Sequence, residues 1–202
     1  MTVIELEEGW IRSIAIDPST QRMGISVIDV NLAVPEKFKL QWVETIHGDK
    51  MEHFGSTNYD DDGAVQSRIH GLSKSYRQLL EFFEPTVAVC EDNFLGASPD
   101  TFKRLIEAVS LLRMETESYG KGLYMINVPP RAAKETVGAN FRGTQKEDVT
   151  KGIKAYVNLD LNGHDLDVLD EHSIDAIAIN LNACERIAKD RGKFNGQENI
   201  QS

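Results

Sequence analysis

Hydrophobic positions in the chain repeatedly follow the short runs and alternation that are typical of β-strands. Residues 11–17 ("IRSIAID") and 23–30 ("MGISVIDV") predict a hairpin, and residues 38–46 ("FKLQWVETI") predict a third strand. The run at 86–91 ("TVAVCE") is short and apolar up to its final glutamate, which favours a strand buried on both faces. Residues 122–128 ("GLYMINV") predict a fifth strand.

Between and after these strands the apolar residues recur at helical spacing. This predicts helices over 65–83, over 99–119 and over about 170–188. The second of them has Ser98 as its N-cap and Pro99 at its first helical position, and Gly120 ends it. Thr144 begins a capping box, "TQKE", that opens a further helix.

This order of elements predicts one α/β domain over residues 1–189, with a mixed five-stranded sheet flanked by helices. Residues 46–63 are polar, acidic and rich in glycine, so we expect a long loop there. Residues 190–202 are polar throughout, and we expect a disordered tail.

The composition fits a single soluble domain. The 202 residues are 41% hydrophobic, no apolar run approaches the length of a membrane span, and the N-terminus lacks the features of a signal peptide. We therefore expect a cytoplasmic protein with no membrane partner. Cys90 and Cys184 match no metal-ligand spacing, and we interpret both as reduced core thiols.

The net charge of −10 argues by itself against binding to nucleic acid, because phosphate contacts require lysine and arginine. The charge is unevenly distributed, however. Residues 131–154 contain six basic residues against three acidic ones and are net positive. Such a run is most often a solvated face, but it is also the part of the chain that could meet a phosphate backbone.

Four residues suggest metal chemistry. Asp17 and Glu91 each end an apolar strand, and if the strands are neighbours the two carboxylates lie side by side. Their repulsion would be relieved by a divalent cation, and oxygen ligands suit Mg²⁺ or Mn²⁺. His172 and Asp175 are three residues apart and share one face of the last helix. Together the four could hold two ions and promote phosphodiester hydrolysis. Taken singly, each is more often an ordinary turn former, edge residue or helix cap, and the prediction rests on their occurring together.

The chain resembles the RuvC-type Holliday junction resolvases of the RNase H-like superfamily. The resemblance covers residues 11 to about 188 and rests on four motifs, which are "IAIDPSTQRMGISVID", "VAVCEDNF", "PPRAAKETVGANFRGTQKEDV" and "HSIDAIAI". It implies an RNase H-like fold and a homodimer that cuts four-way DNA junctions by paired symmetric nicks, leaving 5′-phosphate and 3′-hydroxyl ends. It also implies that the helix at 99–119 is the dimer element.

Site residues follow from the same resemblance. It implies that Asp17, Glu91, His172 and Asp175 are the catalytic ligands of two Mg²⁺ or Mn²⁺ ions, and that Lys134 and Lys146 act near the scissile phosphate. It further implies that Phe94 meets bases at the junction centre. Contacts to DNA would come from Phe94, Arg131, Lys134, Arg142 and Lys146.

The same residues are compatible with several further kinds of protein. The hairpin also resembles the phosphate motif of sugar kinases and actin-like ATPases, but those proteins need a second such domain, for which this chain is too short. An RNA-processing nuclease of the RuvX type and a broader branched-DNA nuclease belong to the same superfamily. A non-catalytic junction-binding scaffold would keep Phe94, Lys134 and Lys146 but would lose acids, whereas all four acid or imidazole positions are filled here.

Two features of the chain are not explained by the resemblance. The acidic loop 46–63 is longer than the family's usual connection. The sequence also leaves open whether a phage, a plasmid or a cell encodes the chain.

Overall fold

The computed structural model of this chain describes residues 5–33, 37–48, 61–92, 98–139 and 146–198. The elements in this part of the chain are, in order, β1 Trp10–Asp17, β2 Arg22–Asn31, β3 Phe38–His47, α1 Asp61–Phe83, β4 Val87–Glu91, α2 Pro99–Tyr119, β5 Met125–Val128, α3 Pro130–Thr136, α4 Lys146–Lys154, β6 Leu159–Asp160 and α5 Glu171–Glu198. The five strands and the long helices expected from the sequence are all present.

The strands form one sheet in the order β5-β4-β1-β2-β3-β6. The pairs β1–β2 and β2–β3 are antiparallel, whereas β1–β4, β4–β5 and β3–β6 are parallel. The predicted mixed sheet is thus confirmed, but the predicted count of five strands is wrong. The sixth strand, β6, has two residues that pair with Phe38 and Lys39 at the edge of β3. A strand of that length leaves no alternation for sequence reasoning to detect.

Helices cover both faces of the sheet, and the alternation of each strand divides its side chains between them. Ile14 and Ile16 of β1 pack in one core with α1 and α2. Ala15, which lies between them, packs in the other core with α3, α4 and α5. Odd-numbered residues of β1 therefore lie under α5, and Asp17 is the last of them.

Hydrogen bonds from serine side chains mark two of the boundaries, the turn between β1 and β2 and the start of α2. The hydroxyl of Ser19, in the turn between β1 and β2, accepts hydrogen bonds from the backbone amides of Gln21 and Arg22. The predicted cap of α2 is confirmed, since the Ser98 hydroxyl accepts from the Thr101 amide at 3.3 Å.

A buried polar network fixes α5 on the sheet. The amide group of Asn180 donates to the carbonyl of Ser26 and to its hydroxyl, both at 3.1 Å. The Ser26 hydroxyl in turn donates to the carbonyl of Ala176 at 2.8 Å. Asn180 and Ser26 are both fully buried. Because such groups are costly to leave unpaired, this network sets the position of α5 along β2.

Three boundaries differ from those expected, and one helix was not predicted. The polar segment 46–63 is shorter at both ends, because β3 includes His47 and α1 begins at Asp61; its middle, 49–60, lies outside the described residues. Helix α3 was not predicted, because its seven residues open with proline in a segment interpreted as basic. Helix α5 continues to Glu198, through residues 190–198 where a disordered tail was expected. Its extension begins where Lys189 pairs with Glu185 one turn earlier, at 2.9 Å.

The structure also bears on the membrane question. Within the described residues, no helix combines the length with the apolar character that a membrane span requires.

Candidate active site

Two carboxylates end adjacent parallel strands at the centre of the sheet. Strands β1 and β4 pair with Ile16 opposite Cys90, so Asp17 and Glu91 follow directly at the same edge. Ala15 and Val89 pack in the core under α5. Since alternate residues share a face, Asp17 and Glu91 lie on that face as well. The expectation that the two strands are neighbours is therefore confirmed.

The first turn of α5 lies over these carboxylates. Nδ1 of His172 is 2.6 Å from Oδ2 of Asp17. The helix reaches this position because Gly24, the register partner of Asp17 on β2, has no side chain. A Cβ atom at Gly24 would lie 1.9 Å from the carbonyl oxygen of His172, which is far inside contact distance. The close approach thus requires glycine.

Burial and neighbouring acidic charges raise the pKa of Glu91 and Asp175. Burial is the main cause that raises the pKa of Glu91 to about 8, and the charges of Asp17 and Asp175 raise it further. Burial likewise raises the pKa of Asp175 to about 6, with the charge of Asp17 as the next contribution. A cation beside these carboxyls would favour their ionised forms.

Asp17 and His172 form a tightly coupled pair. Burial raises the pKa of Asp17, and the hydrogen bond with His172 opposes that effect without overcoming it. The same hydrogen bond is the main cause that raises the pKa of His172. The two pKa values are therefore properties of the coupled pair rather than of either residue alone.

Lys134 supplies positive charge to the cluster from the last turn of α3. Its charge lowers the pKa of both Glu91 and Asp175, against the effect of their burial. Helix α3 thus brings a residue of the basic segment close enough to act on the carboxylates.

The structure also describes two more of the predicted DNA-contact residues, Lys146 and Arg131. The ammonium group of Lys146, at the start of α4, donates to the backbone carbonyl of Leu169 just before α5. Arg131 is exposed and pairs with Glu135, one turn later on α3, at 2.7 Å. Phe94 and Arg142 lie outside the described residues, so their proposed contacts with DNA stay predictions.

The donor set fits a divalent cation by its chemistry. Carboxylate oxygens with an imidazole are ligands that Mg²⁺ and Mn²⁺ accept, and bringing three acids together without a cation has the electrostatic cost seen in their pKa values. In the arrangement of the described residues, no three His, Cys, Asp or Glu side chains converge closely enough to enclose an ion. Asp17 is instead engaged with His172.

Two residues that sequence reasoning missed adjoin this cluster. Asp170, directly before α5, accepts a hydrogen bond from the Ser173 amide at 3.0 Å and caps the helix. Its spacing from Ser173 is an N-cap signal that could have been found in the sequence. Thr45 of β3 donates to the same carboxylate oxygen at 2.5 Å. No local pattern could have found that contact, because the two residues are 125 positions apart.

Comparison with known proteins finds that the chain is similar to junction resolvases. No family model matches it. Two curated bacterial relatives do, and both are named crossover junction endodeoxyribonuclease RuvC. The protein of Synechococcus sp. (strain CC9311) is 25% identical over 150 residues, which cover 74% of this chain and 86% of the relative. The protein of Bdellovibrio bacteriovorus is 30% identical over 112 residues, which cover 54% of this chain and 65% of the relative.

Solved structures of junction resolvases resemble this chain in fold. The structure of T. thermophilus RuvC in complex with Holliday junction substrate superposes with a TM-score of 0.63 at 17% identity, over 88% of this chain and 96% of that one. The yeast mitochondrial Holliday junction resolvase superposes with a TM-score of 0.62 at 12% identity, over 92% of this chain and 83% of that one. The fold is thus RNase H-like, and in sequence and architecture this chain is similar to the RuvC-type Holliday junction resolvases, as its motifs indicated.

Proposed function

We propose that this protein is a metal-dependent endonuclease that resolves four-way DNA junctions by paired symmetric nicks, leaving 5′-phosphate and 3′-hydroxyl ends. The observation that carries the proposal is the cluster of Asp17, Glu91 and Asp175 beside His172 and Lys134, in which the charge of Asp17 raises the pKa of both Glu91 and Asp175. The similarity to proteins named crossover junction endodeoxyribonuclease supplies the substrate and the reaction. Acting on such DNA, the protein would work in the cytoplasm.

Each residue of the cluster has a proposed role. Asp17, Glu91, His172 and Asp175 would hold two Mg²⁺ or Mn²⁺ ions. Such ions supply Lewis-acid activation of water and stabilisation of the leaving oxygen in phosphodiester hydrolysis. The Asp17–His172 pair must release its proton before Asp17 becomes a full ligand, so loading of the site is coupled to pH.

The basic residues act on the phosphate. Lys134 lies close enough to lower the pKa of Glu91 and Asp175, and its charge would offset the negative charge that develops during hydrolysis. Lys146 has three N–H donors, so it can keep its bond to Leu169 and still contact the DNA backbone. Arg131, Arg142 and Phe94 complete the proposed DNA contacts.

Two matching sites are needed for two symmetric nicks, and we propose a homodimer for that reason. Helix α2 leaves two large apolar side chains exposed, Ile106 at 41% and Met114 at 62%. Light scattering should show a dimer that Met114→Glu converts to monomer. The matched control is Val157→Glu, since Val157 is 95% exposed on another part of the surface. A monomeric unaltered protein would contradict the dimer.

The test of function is cleavage of a labelled, mobile four-way junction, beside a linear duplex and a replication fork, in Mg²⁺, Mn²⁺ or EDTA. We expect paired symmetric nicks on the junction that EDTA abolishes. Equal cutting of forks and flaps would favour the broader branched-DNA nuclease. Tight junction binding without cutting in either metal would favour the scaffold and would overturn the catalytic role of the cluster.

A further inference from the structure

One row of residues runs across three adjacent strands beneath the first turn of α5. Asp17, Gly24 and Thr45 are direct partners in the register of β1, β2 and β3. Each contacts the start of α5 in a different way. Asp17 meets the His172 ring, and Gly24 leaves room for the His172 backbone.

Thr45 completes the row with hydrogen bonds. Its hydroxyl lies 2.5 Å from Oδ1 of Asp170 and 2.8 Å from the hydroxyl of Ser173. The same Oδ1 accepts the Ser173 amide at 3.0 Å. Thr45 and Ser173 are 8% and 2% exposed, so water competes little for these bonds. The triangle therefore joins β3 to the cap of α5.

The position of this turn matters because it carries two of the four candidate ligands. His172 and Asp175 lie on either side of Ser173. Asp17 and Glu91 are fixed separately, by the pairing of β1 with β4. The two halves of the cluster thus belong to different elements, and a small shift of the first turn of α5 would change the distances between them. Displacements of about 1 Å at a reacting centre can cost on the order of 100-fold in rate.

We propose that Thr45, acting through Asp170, is a positioning residue of this nuclease site, because it sets the first turn of α5 against the strand ends that carry Asp17 and Glu91. This inference rests on the proposed function and extends it to a residue on a third strand. Thr45 does not touch the substrate; its hydroxyl acts through the carboxylate and through Ser173.

Substitutions at Thr45 separate positioning from general stability. Thr45→Val removes the hydroxyl and keeps the β-branched shape that suits a strand. Thr45→Ser keeps the hydroxyl. Thr116→Val is the matched control, because Thr116 is fully buried on α2, bonds to Tyr76 at 2.9 Å and donates to the Leu112 carbonyl at 2.9 Å. We expect the two valine variants to lose similar stability.

The kinetic readout is single-turnover cleavage of the junction over a range of Mg²⁺ concentrations. Thr45→Val should cleave about 10–100-fold more slowly and require more Mg²⁺, while binding the junction in EDTA as tightly as the unaltered protein. Thr45→Ser should restore most of the rate, and Thr116→Val should leave the rate unchanged. Equal losses in Thr45→Val and Thr116→Val, or no loss in Thr45→Val, would overturn the inference.

A second readout needs no activity and keeps the inference separate from the proposed function. In metal-free protein, the ¹⁵N resonance of the His172 ring reports its contact with Asp17. We expect that resonance to move in Thr45→Val and to stay in Thr45→Ser and Thr116→Val. An unmoved resonance would overturn the positioning role even if the unaltered protein cut no junction. A failure of all the proteins to cut, with the resonance moved as expected, would overturn the proposed function and retain the positioning of α5.

Discussion

Two buried aspartates on the central hairpin, Asp29 and Asp17, have opposite surroundings. Asp29 is 3% exposed and lies between β1 and β3. Its carboxylate accepts hydrogen bonds from the Arg12 guanidinium at 2.7 and 2.9 Å, and from Gln41 at 2.8 Å. The guanidinium also donates to the carbonyl of Phe83 at 3.1 Å. A full positive charge and three donated bonds thus compensate this acid.

Asp17 is 8% exposed and has no such compensation among the described residues. Burial raises its pKa, the hydrogen bond and charge of His172 oppose that rise in part, and the charges of Glu171 and Asp170 add to it. Its own charge raises the pKa of Glu91 and Asp175. Burial of an acid therefore does not by itself indicate a site. The sign of the charge around it distinguishes a structural ion pair from a cluster that would gain from binding a cation.

The sharpest way to test this contrast is to neutralise each aspartate. Asp17→Asn should lower the junction cleavage rate by on the order of 1000-fold or more, because several kcal/mol of transition-state stabilisation depend on that ligand. Junction binding and folding should be retained, since burial already favours the neutral form of Asp17. Single-turnover cleavage, gel-shift binding and thermal unfolding measure the three properties. Loss of folding or of binding in Asp17→Asn would contradict its assignment.

Asp29→Asn should have the converse effect. It leaves the Arg12 guanidinium buried without its counter-charge, which should destabilise the fold by about 3–5 kcal/mol. Cleavage per folded molecule should stay unchanged. The double variant Arg12→Met, Asp29→Leu should recover most of the lost stability, because no unpaired charge remains. Urea denaturation measures all three proteins. If folded Asp29→Asn cleaved the junction more slowly, the distinction between a structural Asp29 and a catalytic Asp17 would be contradicted.

The pH dependence of stability gives the next largest effect. The pKa of Glu91 is raised from 4.5 to about 8, so the folded chain binds this proton more tightly than the unfolded chain does. Its contribution is present at low pH and is lost as pH rises from about 4.5 through 8. The EDTA-treated protein should therefore lose up to a few kcal/mol over that range. Glu91→Gln should remove this part of the slope.

Glu185 supplies the control for that measurement. Hydrogen bonds from Tyr156 and Lys189 outweigh its partial burial and lower its pKa. Its contribution to stability is present above its ordinary pKa and is lost as pH falls, which is the opposite sign to that of Glu91. Glu185→Gln should accordingly change the acid side of the stability curve alone. An unchanged slope between pH 5 and 8 in Glu91→Gln would contradict the crowding of acids around Asp17.

The smallest expected effect is that of replacing Lys134, the lysine whose positive charge acts on the cluster. Lys134→Gln should reduce the cleavage rate by about 10–100-fold. It should also move the acidic limb of the pH–rate profile upward, because the charge of Lys134 lowers the pKa of Glu91 and Asp175. Lys134→Arg should keep the position of that limb, and Lys151→Gln, on the exposed side of α4, should change neither property. If the acidic limb of the pH–rate profile does not move in Lys134→Gln, Lys134 does not act on the acids.

Much of this fold could be predicted from local patterns. The strands that end at Asp17 and Glu91 were identified because apolar runs bounded by turn residues define strands directly. The Ser98 cap of α2 was identified because capping chemistry is local in sequence. Elements without a local signal were missed. Strand β6 exists because two residues meet the edge of β3, and α3 is too short for its periodicity to be visible.

The amino-acid sequence was enough to nominate the candidate ligands: Asp17, Glu91, His172 and Asp175 stand out by type, by place in their elements and by resemblance to a family. The tertiary structure decided their relations. It paired Asp17 with His172, brought Lys134 to the acids, and tied α5 to β3 through Thr45 and Asp170. The physical reason is distance along the chain. Periodicity and capping act within a few residues, whereas pKa shifts and positioning depend on charges and hydrogen bonds between residues that only the folded sheet brings together.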